Sequence, residues 1–451
     1  MKKIILLFLP LLLNAQVIDT VIRFSDRPAE LLYIPQGNKL YINFREHNNI
    51  MVLDCSTYQI IKIIQTGGDY TSAAYGIWNW QRNKIYYTFS HAPESVAVID
   101  NQTDSIIKWI DFPAFWPPCY NSTNDKLYVS DGESVAVIDC ETDSIIKVIP
   151  PQPDNLCHFI LWDSIGNKVY CGTSWSDNVM VIDCLTDSVI KAISTGLASP
   201  WSAVYNSVRR KLYVGGEFGP GCAVIDAIRD TTIKFLNIWY CDEIQPIWNS
   251  IEDKVYWPCD SLCIINCAND SIIKFLPYPV FQLGFASWSN HIYIPCETVI
   301  GGQWVGILNI LDCHNDSLIS RFEIGEGTRG IAYNQTNQLV YISFGRDSSL
   351  YVIRDEIPGI EERKPIKVEH LTFEIHPNPA KNVLRVRVPL SVQEIKIFDV
   401  SGKLIKEIAT SADWRKRNDG MGEIKISLKG INPGIYFLRL GKETKKFLVV
   451  K

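Results

Sequence analysis

The sequence predicts an all-β fold: an eight-bladed β-propeller followed by a small Ig-like β-sandwich. Three observations predict it. A five-residue phrase recurs through the first 355 residues. Each copy stands among four short runs rich in Val, Ile and Tyr, the residues of half-buried strands. No segment sustains a 3.6-residue apolar period, so helices should be scarce.

The chain starts with an address. Lys2 and Lys3 precede an apolar run, Ile4 to Leu13, and Asn14-Ala15-Gln16 follows. The run is far shorter than the ~20 residues of a membrane-spanning helix. Residues 1–16 therefore read as a secretory signal peptide, cut after Ala15. No later stretch is long and apolar enough to span a bilayer, so no transmembrane segment is expected in the mature chain.

The repeat comes next. Asn38-Lys39-Leu40-Tyr41-Ile42 returns from Asn83, Asp125, Asn167, Arg210, Asp253 and Asn290, and more loosely from Asn337. The tyrosines are 41, 86, 128, 170, 213, 256, 293 and 341. Their mean spacing of about 43 lies in the range of propeller blades. An aromatic stands eight residues before the tyrosine in seven copies, at 33, 78, 120, 162, 205, 248 and 333. The seventh unit reads as shortened, with Trp288 five before Tyr293. Downstream, a run ending in Asp meets a turn and a second run, as in Val135–Asp139 and Thr142–Lys147. Each unit thus holds four antiparallel strands, A to D. The last unit lacks D, and Ile18–Phe24 matches the D phrase. The N-terminal strand is expected to complete the last blade and remove an exposed edge. Seven blades is the alternative count, should the unit near Trp288 be incomplete.

These phrases resemble YVTN-type repeats of the YncE-like propellers, over most of residues 17–355. No Trp-Asp dipeptide recurs as in WD40 repeats. No periodic Gly pair marks kelch repeats, and the quinoprotein blade signature is missing. The resemblance implies a fold and almost nothing about function.

A polar linker, residues 356–370, leads to a new β pattern at 371–451. Its phrases are His376-Pro377-Asn378-Pro379-Ala380, Val383–Val388, Ile395–Lys403 with Gly402, Gly434–Leu440 with Tyr436, and Lys446–Lys451. In this order they closely resemble the C-terminal sorting domain of type IX secretion. The resemblance implies a partner, the type IX secretion machinery, and a secreted or cell-surface location. It also allows for removal of the tail with attachment to surface lipopolysaccharide. An Ig-like sandwich that merely ends the protein is the plainer alternative.

Charge and cysteines bound the partners. Net charge is −5, but residues 359–451 hold 19 basic and 11 acidic residues. The remainder holds 25 basic and 38 acidic, a net of −13. That balance argues against nucleic acid as a partner. The 13 cysteines are odd in number. Cys55, Cys140, Cys184, Cys267 and Cys313 stand at equivalent repeat positions, too far apart to bridge, and read as small buried side chains. Cys259, Cys263 and Cys267 would share a face if their strand were continuous. No ligand pairs at zinc spacing occur, and no cofactor is expected.

In a propeller the A–B and C–D turns share one face, and here they are short and uniform. The opposite connections vary, and variable loops on a rigid scaffold carry binding residues. They include Asp69-Tyr70, Phe112–Pro118, Asp154–His158, Ser199–Trp201, Trp239–Glu243, Thr328-Arg329 and the long B–C connection Cys296–Trp304. Trp116, His158, Trp201, Glu243 and Arg329 precede strands A and are the ligand-binding candidates. Aromatic faces beside polar groups suit a glycan or a protein. Trp78, Trp162 and Trp248 are expected to pack between blades, and the repeat lysines to lie on solvent faces. The Asp of each C–D turn is expected to accept bonds from its own turn. Asp143-Ser144-Ile145 also looks like a bacterial O-glycosylation acceptor. No hydrolase, zinc or nucleotide motif is present. The favoured function is a non-catalytic binding or adhesion module; the alternative is a secreted hydrolase, lactonase or lyase with its site at the channel mouth.

Overall fold

The structure, a computed structural model, describes residues 16–450. It leaves out 45–48, 68–73, 90–94, 151–155, 175, 219–220, 239–244, 260, 281, 301, 356–373, 377–379, 390–393, 400–403, 410–414, 417–420 and 441–442. The chain forms two compact units, Met1–Pro358 and Gly359–Lys451. Among the described residues there are strands and no helices.

The first unit is built of four-stranded antiparallel sheets, a repeated architecture consistent with a propeller. Eight are described. Sheets 1 to 7 occupy residues 28–65, 74–111, 119–149, 156–194, 198–236, 247–276 and 284–324, each a simple meander. Sheet 8 takes three strands from residues 328–355 and its fourth from the N-terminus. Gln16–Arg23 lies antiparallel to Ser349–Asp355, from Gln16 opposite Asp355 to Arg23 opposite Ser349. The expected D strand therefore comes from the N-terminus.

One expectation about the repeat is overturned. The seventh unit is not shortened ahead of Tyr293. Phe285 pairs with Ile292, as Trp248 pairs with Val255 and Tyr120 with Leu127. Phe285 is thus the repeat aromatic, eight residues before Tyr293, and Trp288 lies in the following turn. The seven-unit alternative loses its motive.

Turn chemistry explains the phrases. The first residue of each Asn-Lys-Leu-Tyr copy has a left-handed backbone, with φ between 50° and 58° at Asn38, Asn83, Asp125, Asn167, Arg210, Asp253, Asn290 and Gln338. Asn and Asp tolerate that region better than most residues. Each C–D turn contains a second such residue, Asp104, Asp143, Asp187, Asp230, Asp270 or Asp316, and Tyr58 in sheet 1. The Asp at the end of strand C holds its own turn, whereas the Asp of the Asp-Ser-Ile phrase, expected to accept from its own turn, accepts from the preceding sheet. Asp139 accepts from Thr142 N at 2.8 Å and Asp183 from Thr186 N at 2.9 Å. Those turn amides keep both carboxyls below the ordinary range.

The second Asp faces outward to the preceding sheet. Six times, the B-strand Lys of one sheet pairs with this Asp of the next, at 2.5–3.0 Å. The repeat Tyr donates to the same carboxylate, as Tyr86 does to Asp143 and Tyr128 to Asp187 at 2.6 and 2.8 Å. The expectation that these lysines lie on solvent faces fails: their side chains are only 12–18 % exposed. A buried ammonium needs a partner, and the Asp provides it. In sheet 7, His291 replaces Lys and bonds Asp355 at 2.9 Å, with Gln16 as a further donor. Burial opposes the charge of Asp355, yet His291, Ser289 and Tyr293 hold its carboxyl below the ordinary range. In sheet 8, Leu339 replaces Lys, and Tyr58 replaces the Asp it would have met.

Apolar packing follows the same order. Among the described residues, each pair of successive sheets shares one buried cluster, and another lies between sheets 8 and 1. Leu40 and Leu53 meet Tyr341 and Val352 in that last one. Asn334 Nδ2 also donates to Asn38 Oδ1 at 2.9 Å. Trp78, Trp162 and Trp248 pack between neighbouring sheets as expected.

The five equivalent cysteines are buried free thiols. Burial pushes Cys140 and Cys313 up to about 12, which makes them poor nucleophiles. Cys259, Cys263 and Cys267 do not share a strand, because strand Lys254–Pro258 ends before Cys259 and Leu262–Asn266 begins after it. A disulfide joins Cys157 to Cys171 on neighbouring strands.

The second unit holds two four-stranded antiparallel sheets. Leu384, Val386, Ile397, Leu438 and Phe447 share its core.

The Lys–Asp–Tyr contact yields a prediction. Asp187→Ala leaves the buried Lys126 ammonium with the Cys184 carbonyl and no counter-charge, and takes the carboxylate from Tyr128. It should cost about 3 kcal/mol in chemical denaturation of the full chain. Lys126→Met/Asp187→Leu should recover much of that. A loss below about 0.5 kcal/mol for Asp187→Ala would place the contact among surface pairs.

Candidate ligand-binding site

The first strands of several sheets carry one extra residue near their starts. In sheet 4, Cys157 lies opposite Thr173 and Phe159 opposite Gly172, so His158 has no cross-strand partner. In sheet 5, Pro200 and Ser202 bracket Trp201 in the same way. Strands Pro28–Ile34 and Thr328–Asn334 shift between residues 28 and 31 and between 328 and 331. A bulge bends its strand and re-aims the side chain it carries. Three of the sequence candidates, His158, Trp201 and Arg329, stand at these bulges.

Two of them meet a third. His158 stacks on Trp201 with ring centroids 3.7 Å apart and planes 27° from parallel. Trp116 closes edge-on upon both, 4.6 Å from His158 and 5.6 Å from Trp201. Trp116 comes from the connection before strand Cys119–Asn121. Phe112 and Ala114 bury that connection in the core between sheets 2 and 3, and Thr88 Oγ1 donates to the Trp116 carbonyl at 3.0 Å. Sheets 4 and 5 and the connection between sheets 2 and 3 thus supply the cluster, and no single unit holds it.

His158 is 8 % exposed, and neither ring nitrogen has a hydrogen-bond partner. Burial pushes its pKa down to about 4, so the ring is neutral at pH 7. Trp116 and Trp201 are half-buried, leaving aromatic surface at the edge of the cluster. The assembly is apolar with fixed ring planes, and suits stacking on a flat or CH-rich ligand face.

Arg329 stands beside Glu30 of sheet 1. Burial raises the Glu30 carboxyl to about 7, and the Arg329 charge opposes part of that rise. Gly330 permits the approach of the two strands: a Cβ there would fall 2.7 Å from Ala29 O and 2.9 Å from Leu31 N. Glu30 was missed in the sequence, where it is one acid among many.

Glu243, with Trp239–Glu243, lies outside the described residues, as do Asp69-Tyr70 and residues 154–155. The connection Cys296–Trp304 is no irregular loop. Strands His291–Ile300 and Gln303–Asp312 continue through it as one hairpin, with Val299 opposite Trp304.

In the second unit, Gly434 opens strand Gly434–Leu440. Tyr436 is buried, donates to Asn432 O at 2.9 Å, and packs 5.9 Å from Phe447. Pro377, Asn378, Pro379 and Gly402 lie outside the described residues, as do residues 1–15 of the expected signal peptide. Residues 374–451 match the model of the secretion system C-terminal sorting domain. The C-terminal unit carries that sorting domain. It marks the chain for export by type IX secretion to the cell surface or the extracellular space. No curated protein matches the chain. Among the described residues, no helix is long and apolar enough to cross a membrane.

The depressed pKa of His158 has a direction. The ordinary value is 6.5, and the folded value is about 4. Between them the unfolded chain takes up a proton that the folded chain does not, so stability falls as pH drops through this window. His158→Phe removes the effect. Melting temperatures of both proteins should run parallel above pH 6.5 and converge, or cross in favour of the variant, toward pH 4. A constant difference would mean that the imidazole is hydrated and titrates normally.

Proposed function

We infer that the first unit, residues 17–355, is a closed eight-bladed β-propeller of the YVTN/YncE-like kind. Eight described sheets, a shared core between each successive pair and between sheets 8 and 1, and the N-terminal strand in sheet 8 support this reading. A signal peptide cut after Ala15 starts export, the linker 356–370 joins the propeller to its tail, and residues 371–451 present the chain to the type IX secretion machinery.

The propeller works as a non-catalytic binding module for a glycan or protein at the cell surface. The observation that carries this is the Trp116–His158–Trp201 cluster. Three rings, from sheets 4 and 5 and from the connection between sheets 2 and 3, are held in fixed planes, so little ordering entropy is lost when a ligand stacks on them. The net charge of −13 over residues 1–358 favours neutral or cationic ligands and disfavours nucleic acid.

Glu30 favours a second reading, a hydrolase, lactonase or lyase. A carboxyl at about 7 beside an arginine suits proton transfer near neutral pH.

A glycan array and pull-downs from cell-surface fractions, both with the full exported chain, test the first reading. Trp116→Ala and Trp201→Ala should each weaken the captured ligand about tenfold or more, in line with aromatic anchors elsewhere. Glu30→Gln should leave capture unchanged. Capture that ignores both tryptophans contradicts the site. Turnover of a captured ester or glycoside that Glu30→Gln abolishes would establish the catalytic reading instead.

A further inference from the structure

A cleft of about 450 Å³ opens among the A–B turns of sheets 7, 8 and 1, away from the bulged strand starts. Three of its walls are the repeat aromatics of those sheets, Tyr33, Phe285 and Tyr333. The fourth is Trp288, and Ser287, Gln335 and Thr336 form the polar rim. Pro35 is the remaining lining residue, so no lining side chain carries a charge.

Two departures from the repeat accompany the cleft. The residue after the repeat aromatic is usually Asn, which bonds to the start of the next B strand. Asn121 reaches Asn167, Asn206 reaches Asp253, and Asn249 reaches Asn290, at 2.8–3.0 Å. Sheet 7 has Ala286 there, and Ala makes no such bond. The second departure is Trp288. The same turn position holds Ile165, Val208 and Ile251 in sheets 4 to 6, all 54–70 % exposed. Trp288 is instead half-buried. Its indole N–H donates to Asp355 O at 3.2 Å, and its ring meets Tyr333 edge-on at 6.4 Å. Its hydrogen-bonding group is used internally, and what it offers the cleft is a ring face. Tyr33 is fixed likewise, donating to Asn38 Oδ1 at 3.0 Å. Gly284 lies beneath Tyr333, where any Cβ would collide with the hydroxyl.

We propose that this cleft binds a neutral saccharide. Ring faces stack on the CH face of a pyranose, and the amide and hydroxyls of Gln335, Thr336 and Ser287 match its hydroxyls. The lack of a charged lining group disfavours an anionic sugar, a phosphate or an ammonium ligand, whose charge would be desolvated unpaired. The volume lies within the range of small-molecule sites. The cleft is separate from the Trp116–His158–Trp201 cluster, and each stands or falls alone.

The test uses the full chain, saturation-transfer NMR and tryptophan fluorescence. The probes are glucose, galactose, mannose, N-acetylglucosamine and cellobiose, with galacturonate as anionic control and adenosine as a flat-ring control. At least one neutral sugar should bind with a Kd of about 10 mM or tighter. Trp288→Ala should weaken it about tenfold or more, and Gln335→Ala several-fold. The same losses should appear in the Trp116→Ala background, where the Trp116–His158–Trp201 cluster no longer contributes to the signal. If Trp288→Ala does not fold, Ser287→Trp at the exposed rim fills the cleft and should abolish binding. No binding by any neutral sugar, preference for adenosine or galacturonate, or binding that survives both Gln335→Ala and Ser287→Trp overturns the proposal.

Discussion

The contact between one sheet's B-strand lysine and tyrosine and the next sheet's turn aspartate is what the rest of the first unit depends on. A four-stranded sheet is too small to bury its own faces, so each must lie against two neighbours. Apolar packing drives that association but is tolerant of rotation. The Lys–Asp–Tyr contact fixes it, because a buried charge pair fails at the wrong geometry. The aspartate has two jobs. Its left-handed backbone closes the C–D turn, and its carboxylate reaches the preceding sheet. This double use explains why Asp, rather than Asn or Gly, recurs at the position.

The interruptions of the pattern are as informative as its copies. Where the lysine is lost at Leu339, the aspartate is lost at Tyr58. That tyrosine bonds instead to Asp19 of the N-terminal strand, which also pairs with Arg354. At the other edge of sheet 8, His291, Gln16 and Ser289 gather on Asp355. The paired ends of strands Gln16–Arg23 and Ser349–Asp355 thus share one buried polar cluster. Polar networks of this kind are stabilising only when each member is satisfied.

Much of this was legible in the residues. The Asn-Lys-Leu-Tyr and Asp-Ser-Ile-Ile-Lys phrases revealed the repeat, its four strands and the N-terminal fourth strand of sheet 8. What joined the phrases was not legible. The partners are 59–65 residues apart, while the period is about 43, so periodicity alone pairs neither with the other. The lysines therefore read as solvent-facing. Trp288 reads as the repeat aromatic of a shortened unit, and only strand register gives the role to Phe285. Trp116, His158 and Trp201 were found by their place before strands A. Their mutual stacking depends on bulges, which insert one residue and leave no composition signal.

Deleting the N-terminal strand tests whether it closes the propeller. The chain lacking Gln16–Arg23 is compared with the complete chain in thermal unfolding, with and without the synthetic peptide Gln16–Arg23. The account predicts that the deletion lowers the melting temperature and broadens the transition, and that the peptide restores both in trans, saturably. A deletion variant that melts as sharply and as high as the complete chain would contradict it.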